Sequence, residues 1–315
     1  MRIVLTGITG QVGRALVAPL ARLGDVIPTD RSVLNLAEAG TLREALDRLE
    51  PDLIINPAAY TAVDRAEDER ELAFAVNREA PATIAQWASR KRVPLLHFST
   101  DYVFDGSGEA PWREDSKTAP LSVYGASKLA GEEAIRAADG PHLIVRTSWV
   151  YAAQGTNFLR TIARLARERT ELRVVADQIG APTSASVIAD AIMRLLEADL
   201  DLLPQRFAQA EGTLNIAASG ETSWHGFATR IVEGLRARGS PLAVQAILPL
   251  RTEEYPTKAQ RPRNSRLDLT RLRELFGIST PRWDEALDGE LDQLVCGDQT
   301  KAVSAGFESE GFPNG

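Results

Sequence analysis

The sequence predicts an α/β fold, a doubly wound parallel sheet with helices on both faces and a smaller α/β lobe beside it. Short apolar runs alternate with longer helical patterns from residue 2 to residue 151, which is typical of right-handed parallel crossovers. The strand-like runs are apolar almost throughout, as in "DLIIN" (52–56), and this indicates strands that are buried on both faces. After Tyr151 the alternation loosens, which indicates the second lobe.

Local patterns set the expected elements. In the first half we expect strands over 2–7, 25–30, 51–59, 94–100 and 142–151, and helices over 10–24, 41–50 and 123–138, with one or two helices broken near Pro81 over 69–91. In the second half we expect helices over 156–169, 184–198 and 223–239, and a strand and turn over 212–220. We therefore divide the chain into a sheet domain over 1–151, an interleaved lobe over 152–295, and a Gly- and Ser-containing tail over 296–315 that is predicted to be disordered.

Composition excludes several classes of protein. The chain has 315 residues, 44% of them hydrophobic and 25% charged, as in an ordinary globular protein. Its net charge of −7 argues against non-specific binding of nucleic acid. The single Cys296 cannot form an internal disulfide, and with only three histidines no zinc site is expected. We find no basic leader and no apolar run near the length of a membrane span, so we expect a cytoplasmic protein without a membrane partner.

A glycine turn follows the first predicted strand. Glycines stand at positions 7, 10 and 13 of "GITGQVG", and the third lies in the following helix. Gly7 allows the sharp turn, Gly10 lets a pyrophosphate approach the backbone, and Gly13 lets the helix pack closely on the sheet. The free N–H groups at the helix N-terminus then favour phosphate. This position in a βαβ unit predicts a dinucleotide-binding Rossmann domain.

The end of the second strand bears on which dinucleotide is bound. Asp30 lies 20 residues after Gly10, where a carboxylate can accept a hydrogen bond from the ribose 2′-hydroxyl of NAD. Arg31 follows directly, and an arginine there can hold the 2′-phosphate of NADP. The two signals conflict, so the expected cofactor is NADPH or NADH.

A tyrosine and a lysine four residues apart open the helix predicted over 123–138. Tyr124 and Lys128 share one helix face, and the ammonium is expected to lower the phenol pKa. Such a phenol can give a proton to a carbonyl oxygen while hydride reaches the carbon. Thr100 ends the preceding strand, at the sheet edge where ligands of parallel sheets bind. His97, inside that strand, is interpreted as a satisfied core histidine.

Seven segments in order carry a resemblance to a known family. They are "GITGQVG" (7–13), "INPAAYTAVDRAE" (55–67), "FSTDYVFDG" (98–106), "YGASKLAGE" (124–132), "RTSWVY" (146–151), "DQIGAPT" (177–183) and "RPRNSRLD" (261–268). Over about residues 1–290 the chain resembles the extended short-chain dehydrogenase/reductase superfamily and, within it, the dTDP-4-dehydrorhamnose reductases. The resemblance implies NAD(P)H-dependent reduction of a nucleotide-linked 4-keto sugar, dTDP-4-dehydro-L-rhamnose, to dTDP-L-rhamnose.

The resemblance also implies roles for matching residues. The pyrophosphate site would be Gly10, Gln11 and Val12, the adenosine ribose would meet Asp30, and the cofactor cleft would include Ala58, Ala59 and Tyr60. The catalytic set would be Thr100, Tyr124 and Lys128, with Lys128 also holding the nicotinamide ribose. Thr100, Asp101 and Trp149 would contact the deoxysugar, and Asn77 falls where the superfamily often has a helix asparagine near the active site.

Two segments bear on the reaction and on the substrate. Related sugar dehydratases carry Asp then Glu after the threonine, whereas Asp101 is followed here by Tyr102, which disfavours dehydration. "RPRNSR" (261–266) holds three arginines, and Arg261 is expected to help bind the substrate diphosphate because guanidinium suits bidentate phosphate contacts. The alternatives are another nucleotide-sugar epimerase or reductase, or a non-catalytic subunit of the kind that regulates methionine adenosyltransferase.

One departure from the family concerns a metal ion. Some of these reductases dimerise around magnesium held by glutamates, one just after the glycine turn and another after "GAPT". The corresponding residues here are Ala15 and Ser186, neither of which offers a carboxylate. We therefore expect no metal site, and either a monomer or a metal-independent homodimer.

Overall fold

The computed structural model describes residues 1–197 and 202–309, with side chains for 1–197 and 202–297. The strands are β1 (Arg2–Leu5), β2 (Asp25–Pro28), β3 (Leu53–Asn56), β4 (Leu95–Thr100), β5 (His142–Thr147), β6 (Val150–Tyr151), β7 (Glu171–Val175), β8 (Ile179–Gly180), β9 (Thr183–Ser184), β10 (Thr213–Asn215), β11 (Thr222–Ser223), β12 (Ala246–Leu250) and β13 (Asn264–Ser265). The helices are α1 (Gln11–Leu20), α2 (Ala39–Leu49), α3 (Val63–Ala66), α4 (Arg70–Phe74), α5 (Ala80–Lys91), α6 (Val123–Ala137), α7 (Phe158–Glu168), α8 (Ala185–Leu196), α9 (Leu203–Gln209), α10 (Trp224–Ala237), α11 (Thr270–Phe276) and α12 (Trp283–Ser309).

A six-stranded parallel sheet organises the fold, with strand order β10-β5-β4-β3-β1-β2. The strands β3 and β4 are buried at every position, as their unbroken apolar runs predict. The chain leaves β1 toward β2 and later returns to β3 on the other side of β1. Ligands of open α/β sheets bind beyond the carboxyl ends of the strands at such a reversal.

Helices cover both faces of this sheet, which confirms the predicted fold class. On one face the core includes side chains of α1, α8 and α9, such as Leu16, Ile188 and Phe207. On the other face it includes side chains of α2 and α5, such as Leu46 and Trp87. Each face is therefore a separate apolar layer.

The second half of the chain contributes to two apolar clusters. One apolar cluster joins α7, α10 and α12 to the parallel pair β7–β12, and Phe227 and Leu287 lie in it, fully buried. The helices α8 and α9, in contrast, cover the main sheet, and β10 forms its edge strand. The small sheet β11-β8-β13 gathers short strands from three distant parts of the chain. The boundary at residue 151 and the lobe over 152–295 stay predictions.

Two expected elements differ in detail. The strand predicted over 142–151 is divided into β5 and β6, because Trp149 has a φ of 48°, in the left-handed region that interrupts a strand. The helix predicted over 69–91 passes through a π-helical turn at 75–79 between α4 and α5, rather than breaking at Pro81.

The last helix, α12, continues beyond residue 295. The backbone of α12 is helical through Ser309, although a disordered tail is predicted over 296–315, and residues 310–315 lie outside the described residues. Among the helices of the described part, none has both the length and the apolar character needed to cross a membrane.

Candidate active site

A cleft of about 1250 Å³ opens at the carboxyl ends of β1 and β3. Every residue predicted to bind the cofactor lines it: Gly7, Gly10, Gln11, Val12, Gly13, Asp30, Arg31, Ala58, Ala59, Tyr60, Tyr124 and Lys128. The topology explains this grouping, since parallel strands bring their carboxyl ends to one edge of the sheet.

The glycine turn forms the floor of the cleft. Gly7 has a φ of 61°, and a Cβ there would approach the Cα of Ala58 to 2.9 Å, so both conformation and space require glycine. Gly10 caps the N-terminus of α1 with no side-chain hydrogen bond. A Cβ on Gly13 would lie 2.2 Å from the carbonyl oxygen of Gly7. The residues present thus fit a dinucleotide, because the helix N-terminus is bare and the backbone is accessible.

Asp30 and Arg31 lie at the end of β2, and both are exposed. One carboxylate oxygen of Asp30 accepts hydrogen bonds from Ser32 N at 2.8 Å and from Ser32 Oγ at 2.5 Å. These bonds from Ser32 hold the pKa of Asp30 below its usual value. The carboxylate is therefore oriented and ionised.

Tyr124, Lys128 and Thr100 meet where β4 ends and α6 begins. Ser122 caps α6 by accepting a hydrogen bond from Gly125 N at 3.2 Å, which fixes the helix start beside the strand end. All three predicted catalytic residues are buried: Tyr124 is 9% exposed, Lys128 2% and Thr100 6%. Tyr124 and Lys128 lie one turn apart on α6, and the Thr100 hydroxyl is close enough to Tyr124 to affect its pKa, so the structure brings the three side chains together.

The pKa values in this cluster correct one expectation. Burial raises the pKa of Tyr124 above its usual value, while the hydroxyl of Thr100 acts in the opposite direction. Lys128 was expected to lower the pKa of the phenol, but the loss of hydration dominates in the closed cluster. Burial also lowers the pKa of Lys128 to about 8, although Glu132 acts against this change. Tyr124 is thus held protonated, which is the form that a proton donor needs.

A π-helical turn supports the wall of the cleft. Asn77, fully buried in this turn, accepts a hydrogen bond from Tyr60 N at 2.8 Å and donates to Tyr60 O at 3.0 Å. Its amide also donates to Ser127 Oγ at 2.9 Å, on the helix that carries Tyr124. Asn77 therefore joins the cleft wall to α6 without facing the cleft itself.

The predicted substrate residues lie outside the cofactor lining. Asp101 is 2% exposed, accepts a hydrogen bond from Thr100 Oγ1 at 3.0 Å, and has a second oxygen without a protein partner. Burial raises the pKa of Asp101 to about 6, against the neighbouring hydroxyls of Ser265 and Thr100, which act to lower it. This buried carboxylate oxygen next to Thr100 lacks a hydrogen-bond donor, and a hydroxyl group of the sugar fits that role.

Trp149 and Arg261 are engaged by other residues. The indole of Trp149 stacks on Trp224 with ring centroids 3.6 Å apart, and its backbone is left-handed. Arg261 donates to both carboxylate oxygens of Asp64, at 3.2 and 2.6 Å. Neither residue lines the cofactor cleft, so their predicted substrate contacts stay predictions.

Several contacts of the site have no local signal in the sequence. Asn157 donates to Gln11 Oε1 at 2.8 Å and so ties the loop after β6 to the glycine turn. Glu290, buried on α12, accepts from Ala153 N at 2.6 Å and from Ser186 Oγ at 2.8 Å. The family resemblance points to Ser186 only as a position where a metal ligand is missing.

The described side chains form no cluster of metal ligands. Within residues 1–197 and 202–297, no group of three or more His, Cys, Asp or Glu side chains is arranged to hold a metal ion. Ala15 and Ser186 both line the cleft and bring no carboxylate to it. Magnesium independence stays a prediction.

An open parallel sheet, a glycine turn at its reversal and a Tyr–Lys helix beside a strand-end threonine together define an extended short-chain dehydrogenase/reductase. The chain matches the family described as RmlD substrate binding domain over residues 1–296. It belongs to this family, that of the dTDP-4-dehydrorhamnose reductases.

Named relatives are similar along almost the whole chain. The dTDP-4-dehydrorhamnose reductase of Burkholderia thailandensis is 45% identical over 291 residues, which are 91% of this chain and 97% of the relative. That of Escherichia coli K12 is 41% identical over 298 residues, which are 93% of this chain and 98% of the relative. The structure of the Bacillus anthracis enzyme in complex with NADP has a TM-score of 0.83 at 34% identity and covers 93% of this chain and 99% of that chain.

Proposed function

We propose that this protein reduces dTDP-4-dehydro-L-rhamnose to dTDP-L-rhamnose with NADPH or NADH. The observation that carries the proposal is the buried group of Tyr124, Lys128 and Thr100, of which Tyr124 and Lys128 line a cleft that begins at a glycine turn. Similar reductases cover nearly the full length of the chain, and one of them was solved with NADP.

The residues divide the chemistry between them. Bound NAD(P)H supplies hydride to the 4-keto carbon of the sugar. Tyr124, protonated because burial raises its pKa, donates its proton to the carbonyl oxygen as the alcohol forms. Thr100 orients that oxygen, and Lys128 holds the nicotinamide ribose and favours the phenolate that is left. Asp101 accepts a hydrogen bond from the sugar with its unpartnered oxygen.

The assay for this function follows absorbance at the reduced-nicotinamide band, with the keto sugar generated in situ and both cofactors compared. We expect cofactor oxidation that depends on the keto sugar, and dTDP-L-rhamnose as the product. Conversion of the keto sugar without net cofactor oxidation would instead indicate an epimerase. Absence of any conversion, with a stoichiometric protein partner recovered from cells, would indicate a regulatory subunit.

Cofactor preference depends on Asp30 in this account. We expect Asp30→Asn to raise the KM for NADH on the order of tenfold, because it removes a charged acceptor for the ribose hydroxyls. The KM for NADPH should stay level or fall, because the repulsion between a carboxylate and a 2′-phosphate is removed. Steady-state kinetics with both cofactors measure the ratio. Asp25→Asn is the matched control at the far end of β2, and an equal change in both variants would refute the role of Asp30.

Arg261 is proposed to bind the substrate diphosphate in competition with its ion pair to Asp64. We expect Arg261→Ala to raise the KM for the nucleotide sugar about tenfold or more, through the loss of a charged hydrogen bond, with the KM for the cofactor unchanged. Asp64→Asn keeps the arginine and removes its ion pair, so this variant should bind the sugar as well as the wild type or better. If both variants weaken sugar binding equally, the ion pair is only structural.

We also propose a cytoplasmic protein that is a monomer or a metal-independent homodimer. Ala15 and Ser186 offer no carboxylate to a cation, and Glu290 is satisfied by Ser186 and Ala153. Gel filtration with and without a chelator should therefore give the same elution volume. A dimer that dissociates on chelation would contradict this.

A further inference from the structure

The buried nitrogen of Lys128 ends against a histidine. Lys128 Nζ lies 3.1 Å from His97 Nε2 and donates to Phe98 O at 2.6 Å. Lys128 is 2% exposed and His97 is fully buried. Two of the three hydrogen-bonding directions of the lysine nitrogen are thus used by residues of β4. The third can point toward the cleft that Lys128 lines.

His97 has a second partner on its other ring nitrogen. His97 Nδ1 lies 3.0 Å from the side-chain amide of Asn56, at the end of β3. Asn56 in turn accepts from Thr6 Oγ1 at 2.6 Å, and Thr6 Oγ1 accepts from Ala58 N at 3.3 Å. A continuous hydrogen-bonded chain therefore runs under the cleft from the glycine turn to Lys128.

Burial keeps the imidazole neutral. Burial first, and then the charge of Lys128, hold the pKa of His97 well below its usual value. A neutral imidazole has one donor and one acceptor nitrogen, and the tautomer is set by its partners. An ammonium on Lys128 makes Nε2 the acceptor, and Nδ1–H then donates to the Asn56 amide oxygen once that amide is turned over from the orientation in which its nitrogen faces the imidazole. A neutral amine on Lys128 makes Nε2–H the donor, and Nδ1 then accepts from the Asn56 amide nitrogen.

We propose that His97 is a positioning residue for Lys128, with an imidazole that stays hydrogen-bonded to the lysine nitrogen in both of its protonation states. His97 touches neither the cofactor nor the substrate, and it acts only through Lys128. The inference rests on the proposed function in that Lys128 serves the reaction at the cofactor ribose.

The other charged groups near Lys128 do not offer this contact. Glu132 lies on the same helix and is paired with Arg146 of β5 at 2.6 Å. Tyr124 shares the helix face, and Asp101 at the end of β4 acts on the phenol of Tyr124. Of the side chains described, only that of His97 is hydrogen-bonded to Lys128 Nζ.

Three substitutions at His97 distinguish loss of the hydrogen bond to Lys128 from a change in core packing. His97→Gln places an amide near the Nε2 position and can still meet Lys128. His97→Asn reaches only the Nδ1 position, so it keeps the contact with Asn56 and loses Lys128. His97→Leu fills the space with neither contact. Thermal unfolding of each variant identifies any that fails to fold.

The readout is the titration of Lys128 itself, by NMR of protein labelled with ¹³C at the lysine ε-carbon. The chain has only five lysines, Lys91, Lys117, Lys128, Lys258 and Lys301, and the signal missing from Lys128→Met assigns the resonance. The titration needs no substrate, so it tests His97 even if the proposed reaction is wrong. The pH profile of kcat/KM tests the function separately, and its basic limb should follow the Lys128 midpoint.

We expect the wild-type midpoint near pH 8, where burial places the pKa of Lys128. His97→Leu and His97→Asn should lower it by about one pH unit or more, because the ammonium loses a charge-assisted hydrogen bond. The Lys128 midpoint in His97→Gln should lie close to the wild-type value. Midpoints equal to the wild type in all three variants, or moved equally in all three, would overturn the proposal.

Discussion

Replacing Tyr124 by phenylalanine is expected to lower kcat by about 10²- to 10⁴-fold, the contribution of a positioned general acid. The substitution removes the phenolic hydroxyl and keeps the ring that packs edge-on against Tyr102 at a centroid distance of 5.5 Å. The cofactor contacts at the glycine turn are unchanged, so the Kd for NADPH should stay within about twofold of the wild type. Steady-state kinetics and a fluorescence titration of NADPH separate the two effects.

Tyr102 supplies the matched control for this experiment. It is a second, partly buried phenol in the same aromatic pair, and loss of hydration raises its pKa as it does that of Tyr124. Tyr102→Phe should therefore leave kcat within a few-fold of the wild type. Comparable losses in the two variants, or substantial turnover by Tyr124→Phe, would contradict the assignment of Tyr124 as proton donor.

Replacing Arg146 by methionine is expected to lower the free energy of unfolding by about 3–5 kcal/mol at neutral pH, the cost of removing one partner of a buried ion pair. Glu132 is fully buried and Arg146 is 2% exposed. The guanidinium donates to the two carboxylate oxygens at 2.9 and 2.6 Å, and also to Glu114 O at 3.0 Å. Chemical denaturation measures the loss.

The pH dependence of this loss has a definite sign. Burial alone would raise the pKa of Glu132, but the hydrogen bonds and charge of Arg146 bring it below its usual value. The pair therefore stabilises the fold above the unfolded carboxyl pKa, and this stability is lost as pH falls through the lower folded value. The difference between wild type and Arg146→Met should shrink in acid.

Arg136 provides the control for the buried pair. It binds the same Glu132 carboxylate at 2.9 Å, but its side chain is 38% exposed. Arg136→Met should cost less than about 1 kcal/mol, as for an exposed pair. A loss as large as that of Arg146→Met would show that burial of the pair is not the cause.

The fold and the cofactor side of the site could be predicted because their signals are local. Apolar runs such as "LIIN" are typical of strands in a covered parallel sheet, and Gly7 meets both a conformational and a steric requirement of the turn. Tyr124 and Lys128 share a helix face by spacing, so their adjacency also needed no structure.

The supporting contacts could not be predicted because they join distant segments. Lys128 meets His97 from 31 positions away, and Gln11 meets Asn157 from 146 positions away. His97 was interpreted as a satisfied core histidine, which its two hydrogen bonds bear out, but the sequence could not show that Lys128 is one partner. The direction of the Tyr124 pKa was wrong, because charge proximity can be read from spacing and depth of burial cannot.

The central claim is that hydride passes from the cofactor in this cleft to C4 of a nucleotide-linked sugar. The most direct test uses NADPH carrying deuterium at the transferable C4 position, with dTDP-4-dehydro-L-rhamnose as substrate and NMR of the product. We expect dTDP-L-rhamnose with a single deuterium at sugar C4 and none elsewhere. Product without deuterium at C4, or cofactor that binds but transfers no label to the sugar, would contradict it.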